Sequence, residues 1–528
     1  MTVLCNCDSE PRTRTAVFYP RQRNSRRDHA IGEAILFRSP SFSTRRFLSC
    51  VGPIASRAIV VAAACALGSP AVLAGDQDAG SAYVTTTPAP TAAYANTPTA
   101  AYANAPVATT YANADLGKLL NNGGPELIVA GERLNVGLLR RFYARHGFAP
   151  VWTTRQSQAN SLVNAVLHAG DHGLPPDLFH ASALQSAATL SPTDRELLLS
   201  DAFLSYADAL ARGVMPIERR RDDEALTPTP IDVAASLDAI IGAPDPATAL
   251  EALAPTTPTY RALRLALLNS QSGLSAGGRI AAPRLREIAV NLERERWLPR
   301  PLPRDRVWVN AADERVVLYR DDRPIYSSRV IVGQDERRNQ SPEFQATIDG
   351  ILFNPPWTIP EDIATNEILP KAGRDPNYLA QHNMVMLPNG LLQQVAGPNS
   401  GLGQLMFEMR NRFDVYLHDT PSKNYFSRDN RRISHGCIRV ENPRELAALL
   451  MQQSTEAIDQ MIATGGTAHN ALPQPVPVFV VYQTAFADAD GRLQFRPDIY
   501  SRDAEIWQYL NSARRAVAER ELRGQRGG

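Results

Sequence analysis

The spacing of apolar residues changes near Val307, and this change restricts the fold that the chain can adopt. Before Val307, apolar side chains recur every three or four residues, which is typical of helices with one buried face. After it come short β-rich runs separated by charged turns, at residues 307–309, 315–319 and 325–332. The order of the two patterns predicts an α+β fold, with a mostly helical N-terminal domain followed by a β-rich domain.

Four apolar stripes carry the helical prediction. They are Leu134, Leu138 and Phe142; Leu162, Val166 and Ala169; Leu199, Phe203, Tyr206 and Leu210; and Leu285, Ile288, Ala289 and Leu292. Gly147 and Gly213 are expected to end the first and third helices, and Pro283 to lie in the first turn of the fourth. The charged run 218–224 is interpreted as a solvated loop. Residues 443–452 and 457–463 are predicted helices, and 478–482 a closing strand.

Charge and cysteine content narrow the function. The 528 residues include 55 Lys and Arg against 54 Asp and Glu, and this balance gives no support for nucleic-acid binding. Four of the five cysteines precede residue 75, so a chain processed there would retain Cys437 alone and form no internal disulfide. The histidines at 146, 168, 172 and 180 lack the spacing of metal ligands, and no metal site or cofactor is predicted.

The first 123 residues have the composition of an export signal and a spacer. Residues 1–74 contain an apolar run at 59–73 that is followed by small residues, which is typical of a removable secretory signal. Arg45 and Arg46 leave twin-arginine export open beside the general secretory route, and an uncleaved membrane anchor is the alternative. Residues 75–123 are low in complexity, with the segment 91–98 repeated at 99–106, and are predicted to form an extended linker.

One cysteine lies within a short run of residues suited to acyl transfer. Cys437 follows His435 and Gly436, and His418 lies 19 residues upstream. A neighbouring imidazole can generate the attacking thiolate, and a glycine beside the nucleophile can turn backbone N–H groups toward a developing oxyanion. Arg439 is suited to clamp a carboxylate.

The pattern formed by His418 and the sequence Ser-His-Gly-Cys-Ile-Arg at 434–439 resembles the signature of the L,D-transpeptidases, which cross-link peptidoglycan. Segments 148–152, 172–175 and 291–299 resemble the scaffold domain of the large periplasmic members. Those members insert a three-helix peptidoglycan-binding domain where this chain has only residues 273–283. The resemblance implies a scaffold domain at 124–300, a catalytic domain at 301–485 with a capping subdomain at 361–396, and a C-terminal segment and tail at 486–528.

The resemblance also implies roles for the residues of the motif. Cys437 is the expected nucleophile and His418 the general base, with His435 as the alternative base or as a wall of the site. The residue after His418 is expected to orient the ring through its backbone carbonyl, so that the Asp419 side chain itself is incidental. The N–H groups of Gly436 and Cys437 are the expected oxyanion donors.

Three further residues complete the expected site. Ser434 is expected to hold the nucleophile loop by hydrogen bonding. Arg439 is assigned either to a stem-peptide carboxylate or to a structural ion pair. Tyr416 lies two residues before His418 and is expected to share its strand face and line the cleft. The glycines of 397–403 are interpreted as a tight turn beside the site.

The function implied is transfer between peptidoglycan stem peptides through a cysteine thioester, in the periplasm and without an obligate protein partner. Three-to-three diaminopimelate links and one-to-three L-alanine links both remain open, and carbapenems are expected to acylate Cys437. The alternatives are a carboxypeptidase or endopeptidase that uses the same cysteine, and a non-catalytic cell-wall scaffold. In papain-like peptidases the cysteine precedes its histidine, whereas here His418 comes first.

Overall fold

A computed structural model of the chain describes residues 115–122, 126–271 and 280–512. The predicted export signal, residues 75–114 of the predicted linker and the charged tail after residue 512 lie outside this part. Within it, no helix combines the length and the apolar character that crossing a membrane requires.

The N-terminal half is helical, as its apolar stripes predict. A small hairpin of β1 (Leu127–Val129) and β2 (Glu132–Leu134) precedes most of the helices. The helices are α1 (Leu116–Asn122), α2 (Val136–Arg145), α3 (Gln156–Leu167), α4 (Ala181–Gln185), α5 (Pro192–Arg212), α6 (Val233–Ile241), α7 (Pro246–Glu251), α8 (Pro258–Gln271) and α9 (Ala282–Arg296).

Helix α5 is the centre of the helical core. Ser191 caps it by accepting a hydrogen bond from the Asp194 amide at 3.1 Å, Pro192 occupies its first turn, and Gly213 ends it as predicted. Its apolar residues are buried on nearly every side, because α2, α3, α6 and α9 all pack against it. Helix α1 differs from the prediction, since it lies within the expected linker. Leu116 and Leu120 are one turn apart and both buried, which fixes this segment against the helical core.

The C-terminal half is built on one sheet whose strand order is β12-β5-β13-β11-β10-β6-β14-β3-β4. Strand β4 also pairs with β5, so the order closes on itself into a ring. The strands are β3 (Arg306–Asn310), β4 (Arg315–Arg320), β5 (Arg323–Gly333), β6 (Phe344–Phe353), β10 (Leu405–Met409), β11 (Leu417–His418), β12 (Arg432–Ser434), β13 (Ile438–Val440) and β14 (Ala468–Val481). Helices α13 (Pro443–Met451) and α14 (Thr455–Ala463) follow β13 and contribute buried residues to the hydrophobic core of the β-rich region.

The segment predicted as a capping subdomain has a small core of its own. It contains β8 (Met384–Met386) and β9 (Leu392–Gln394), and β9 pairs on one side with β8 and on the other with β7 (Trp357–Thr358). A π-helical turn covers Ala364–Ile368. The short helices are α10 (Glu361–Ile363), α11 (Leu369–Ala372) and α12 (Tyr378–Gln381). The buried residues of this core are Ile359, Ala364, Ile368, Met384 and Leu392.

The run 218–224 is not the solvated loop that its charges indicated. Arg220, Arg221 and Glu224 are buried, and Arg220 stacks on Trp297 at 3.9 Å. Glu224 forms a parallel β-bridge with Glu343, in which the Ala225 amide donates to the Glu343 carbonyl at 2.8 Å. Arg220 donates to the Met215 and Leu226 carbonyls, and Arg221 donates to Gln340 of the facing segment, contacts that the sequence pattern could not reveal.

Residues 485–512 contact both the helical and the β-rich region. Strands β15 (Ala485–Ala487) and β16 (Leu493–Phe495) pack against the helical core. Arg502 is fully buried and donates to Glu343 at 3.0 Å and to Asp223 at 2.7 Å. Residues 503–512 are helical, and Asp503 pairs with the buried Arg294 of α9. The C-terminal segment is therefore part of the junction between the two regions.

Candidate active site

Strands β11 and β13 bring the motif residues together. They run parallel, with Leu417 opposite Ile438 and His418 opposite Arg439. Leu417 and Ile438 are fully buried in the core, so the alternate positions point to the other face of the sheet. That face carries His418 and Arg439 and, one step before each strand segment, Tyr416 and Cys437. The structure thus places these four residues on one face of the sheet, with Tyr416 two positions before His418.

His418 is held by its own backbone. It is buried, and its Nδ1 lies 2.6 Å from the carbonyl oxygen of Asp419. Burial lowers the pKa of His418 to about 4, and the positive charge of Arg439 acts in the same direction. The ring is therefore neutral near pH 7, and a neutral imidazole that donates from Nδ1 keeps Nε2 as its basic nitrogen.

The Asp419 side chain is directed elsewhere. Its carboxylate accepts a hydrogen bond from the Gln404 amide at 3.0 Å and pairs with Lys423 at 2.7 Å. Gly403 makes this contact sterically feasible, because a Cβ at that position would lie 2.5 Å from the Asp419 side chain. Leu402, in the same glycine-rich turn, forms a backbone hydrogen bond with the His418 ring, so the turn lies beside the site as predicted.

The Cys437 thiol is free and partly exposed. Its Sγ lies 3.8 Å from the Asp414 carbonyl oxygen, to which the S–H donates, and it receives a hydrogen bond from the Tyr416 backbone. Desolvation raises the pKa of Cys437 above its usual value, while the Tyr416 hydrogen bond and the charge of Arg439 oppose this rise. Across the described residues, no hydrogen bond joins Cys437 to His418. Such contacts often tighten only when substrate binds.

Gly436 forms the turn before Cys437 with a positive φ of 114°. Its N–H donates to Ser434 Oγ at 3.2 Å, and Ser434 Oγ donates in turn to the Cys437 carbonyl at 2.6 Å. Ser434 therefore bridges the two sides of this turn by hydrogen bonding. The Gly436 N–H is occupied, which removes it from the pair of expected oxyanion donors in this conformation. The Cys437 N–H has no hydrogen-bond partner in the described part of the chain and remains available.

His435 contacts the capping subdomain. Its Nε2 lies 2.6 Å from Oε1 of Glu367, in the π-helical turn. π-Helical turns are rare and are frequent at functional sites. This contact places His435 between the Cys437 loop and the segment predicted as a capping subdomain, and among the described residues no hydrogen bond connects it to Cys437.

Arg439 lies on the site face without a carboxylate partner among the described residues. Its Nε is buried and has no hydrogen-bond partner, and burial lowers the pKa of its guanidinium. The structural ion pair that the sequence left open is thus not formed in this part of the chain. A half-buried guanidinium without a carboxylate partner is suited to receive an anionic group of a ligand.

Two residues that the sequence analysis did not identify form hydrogen bonds to the backbone of the loops around the site. Asn411 uses its side-chain amide to bind the Met409 and Val415 carbonyls, each at 2.8 Å, and so shapes the loop that carries Asp414. Ser341 is buried and donates to the Gly436 carbonyl at 2.8 Å. Asn411 lies in a turn-like run that offered a weak signal. Nothing in the sequence marked Ser341, because its contact bridges 95 residues.

Comparison with known proteins supports the prediction of a helical domain followed by a β-rich domain. The family model of the scaffold domain matches residues 137–267, and that of the L,D-transpeptidase catalytic domain matches residues 304–476. A candidate L,D-transpeptidase of Haemophilus influenzae is 33% identical over 243 residues, covering 42% of this chain. The match spans only 48% of that relative's length.

Two solved structures share weaker similarity. The Ldtfm–avibactam carbamoyl enzyme is 10% identical, with a TM-score of 0.19, 34% of this chain and 49% of that chain covered. An L,D-transpeptidase from Xylanimonas cellulosilytica is 13% identical, with a TM-score of 0.16, 48% of this chain and 87% of that chain covered. Similarity at this level transfers no property to the present chain. The two family models, in contrast, match defined regions of the chain: a scaffold domain at residues 137–267, followed by an L,D-transpeptidase catalytic domain at residues 304–476.

Proposed function

We propose that this protein is a peptidoglycan L,D-transpeptidase that joins stem peptides through a thioester on Cys437. The observation that carries the proposal is the shared sheet face of Cys437, His418 and Arg439, within the region that matches the catalytic-domain model. Transfer between carboxylate-bearing peptides requires a nucleophile, a base and a cation, and Cys437, the neutral His418 and the half-buried Arg439 are suited to these three roles.

The reaction proceeds in two half-reactions. His418 takes the thiol proton of Cys437, and the sulfur attacks the carbonyl carbon before the terminal D-alanine of a tetrapeptide stem. The peptide bond breaks, D-alanine leaves as an amine that takes the proton from His418, and a thioester remains. An amine of a second stem then attacks the thioester, the new amide forms, and the thiol is regenerated.

Arg439 binds a carboxylate of the donor stem in this proposal. The alternative of a structural ion pair has no support among the described residues, since the guanidinium lacks an acidic partner there. Its charge also stabilises the thiolate, because Arg439 acts against the rise in the Cys437 pKa. The further expectations are that the protein works in the periplasm after export, that residues 75–114 act as a spacer, and that carbapenems acylate Cys437.

The test incubates the full chain with purified disaccharide-tetrapeptide and sequences the products by tandem mass spectrometry. Cys437→Ala is the matched control. A dimer that lacks one D-alanine, absent in the control, supports three-to-three transfer, and a dimer that retains only L-alanine of the donor stem supports one-to-three transfer. A shortened monomer alone supports the carboxypeptidase alternative. An unchanged substrate together with retained peptidoglycan binding supports a non-catalytic scaffold.

A further inference from the structure

Ser341 contacts the turn before Cys437 through its side chain. It lies between β5 and β6 and is fully buried. Its Oγ donates to the Gly436 carbonyl oxygen at 2.8 Å and accepts a hydrogen bond from the Gly333 amide at 3.0 Å. A hydroxyl has a single proton, so acceptance from Gly333 leaves that proton for Gly436. The direction of the Ser341–Gly436 hydrogen bond is thereby fixed.

The Gly436 carbonyl and the Cys437 N–H belong to the same peptide unit. That unit is planar and trans, so its C=O and N–H point in opposite directions. When Ser341 binds the carbonyl, it also sets the direction of the Cys437 N–H, away from Ser341. Gly436 would otherwise allow this peptide to rotate, because glycine restricts its flanking dihedral angles least.

The Cys437 N–H is the amide of this turn that remains available. The Gly436 N–H is bound to Ser434, whereas no hydrogen bond to the Cys437 N–H is formed within the described residues. A backbone N–H adjacent to the attacking sulfur can stabilise the oxyanion that forms on the substrate carbonyl. Its contribution depends on its direction, because a developing oxyanion is stabilised only by donors already aimed at it.

We infer that Ser341 is a positioning residue: through the Gly436 carbonyl, its hydroxyl aims the Cys437 N–H at the oxyanion of the acylation step. The inference rests on the proposed role of Cys437 as an acyl-transfer nucleophile. It adds a residue of the β5–β6 connection to the site, 96 positions before the cysteine in the sequence.

Ser341 is itself anchored at the junction between the two regions. Arg502 donates to its carbonyl at 3.0 Å, and the Tyr500 hydroxyl donates to the Gly333 carbonyl at 2.7 Å. Arg502 also binds Asp223 of the helical region. The orientation of the Cys437 amide is therefore connected, through Ser341 and Arg502, to the scaffold domain.

The test compares Ser341→Thr with Ser341→Val in the full chain. Threonine and valine have nearly the same shape, so both variants carry the same packing cost at this buried position, and only threonine retains the hydroxyl. Acylation of Cys437 is measured as the burst of nitrophenolate from p-nitrophenyl acetate and as D-alanine release from tetrapeptide. Alkylation by iodoacetamide is measured in parallel, because direct displacement at carbon forms no oxyanion.

We expect Ser341→Val to acylate at least about tenfold more slowly than Ser341→Thr, with kcat reduced and KM nearly unchanged. The alkylation rates of the two variants should agree within about twofold. Equal acylation rates in the two variants would overturn the inference, as would a parallel loss of alkylation, which indicates general loosening of the loop. A wild-type protein that gives the nitrophenolate burst but releases no D-alanine would contradict the proposed function alone, since the ester still tests Ser341.

Discussion

The Nδ1 atom of His418 lies 2.6 Å from the carbonyl oxygen of Asp419, its neighbour in the sequence. The ring is thus oriented by the backbone, and no side-chain substitution at 419 removes this acceptor. We expect Asp419→Asn to keep kcat within about threefold, because the amide oxygen can still accept from Gln404. His418→Asn should lower kcat by about 10²-fold or more, as expected for loss of a general base. D-alanine release measures both. A large loss in Asp419→Asn would show that the carboxylate acts on the ring directly.

The acid limb of the pH profile should reflect the buried state of His418. Burial lowers the pKa of His418 to about 4, so the ring stays neutral and able to accept a proton well below the usual histidine pKa of about 6.5. kcat/KM for D-alanine release should therefore be retained at pH 5 and fall only toward pH 4. Because kcat/KM reports the free enzyme, a midpoint near 6.5 would contradict the buried neutral imidazole.

Arg439→Gln should shift two titrations upward. The guanidinium lowers the pKa of His418 and opposes the rise in the pKa of Cys437, so its removal raises both. The acid limb of kcat/KM should move to higher pH, and iodoacetamide alkylation should require more alkaline solution. Arg439→Lys is the matched control, because it keeps the charge but loses the planar guanidinium. Equal profiles for the Gln and Lys variants would show that charge at 439 does not act on the site.

Gly403→Ala should impair the site, whereas Gly390→Ala should not. Both glycines have positive φ, so both substitutions carry a backbone cost of about 1 kcal/mol. At Gly403 a Cβ would also lie 2.5 Å from the Asp419 side chain, while at Gly390 nothing lies within 4 Å. D-alanine release should fall severalfold for Gly403→Ala and stay near wild type for Gly390→Ala. Equal D-alanine release by the two variants would show that the turn at residue 403 can accommodate the added Cβ without displacing His418.

Arg502→Met should destabilise the protein strongly. Arg502 is fully buried between Glu343 and Asp223, and removing one member of a buried charge network costs about 3–5 kcal/mol. Arg304→Met is the control, since Arg304 pairs with Asp321 on the exposed surface and should change stability by less than about 1 kcal/mol. Urea unfolding monitored by circular dichroism measures both free energies. A similar, small effect in the two variants would show that the junction does not stabilise the fold.

Regular elements were predictable where one period dominates a long segment. Helices α5 and α9 follow their apolar stripes, and Gly213 and Pro283 mark the end and the first turn as expected. Strands β3, β4 and β5 match the predicted runs closely. The predicted strand 478–482 is the end of the much longer β14, whose prolines lie around an irregularity between Ala471 and Val476. Proline usually argues against a strand, so the sequence did not predict that the proline-containing part of β14 pairs with the neighbouring strand β6.

The candidate site also contains features that the sequence predicted and features that it did not. Tyr416 and His418 could be placed on one strand face from strand alternation, whereas Cys437 and Arg439 were assigned to the same site only through the motif and the family resemblance. The occupied Gly436 amide and the buried Glu224 could not be predicted. Each depends on a partner fixed by the fold, Ser434 Oγ within the turn and Glu343 across the junction. Charge alone made 218–224 look solvated, but the tertiary contacts decide whether a charged residue is exposed.

The β-bridge between Glu224 and Glu343 has a consequence for the evolution of such chains. A recombination event near residue 300 would separate Arg502 from Asp223 and Arg294 from Asp503, so that two buried arginines would each lose a counterion. Shuffling of the two domains as independent cassettes is therefore disfavoured, since a new helical partner would need a matching 220–225 segment. We expect the two domains to be inherited together. Engineered chimeras should fold only when the 220–225 segment is transferred together with the β-rich region.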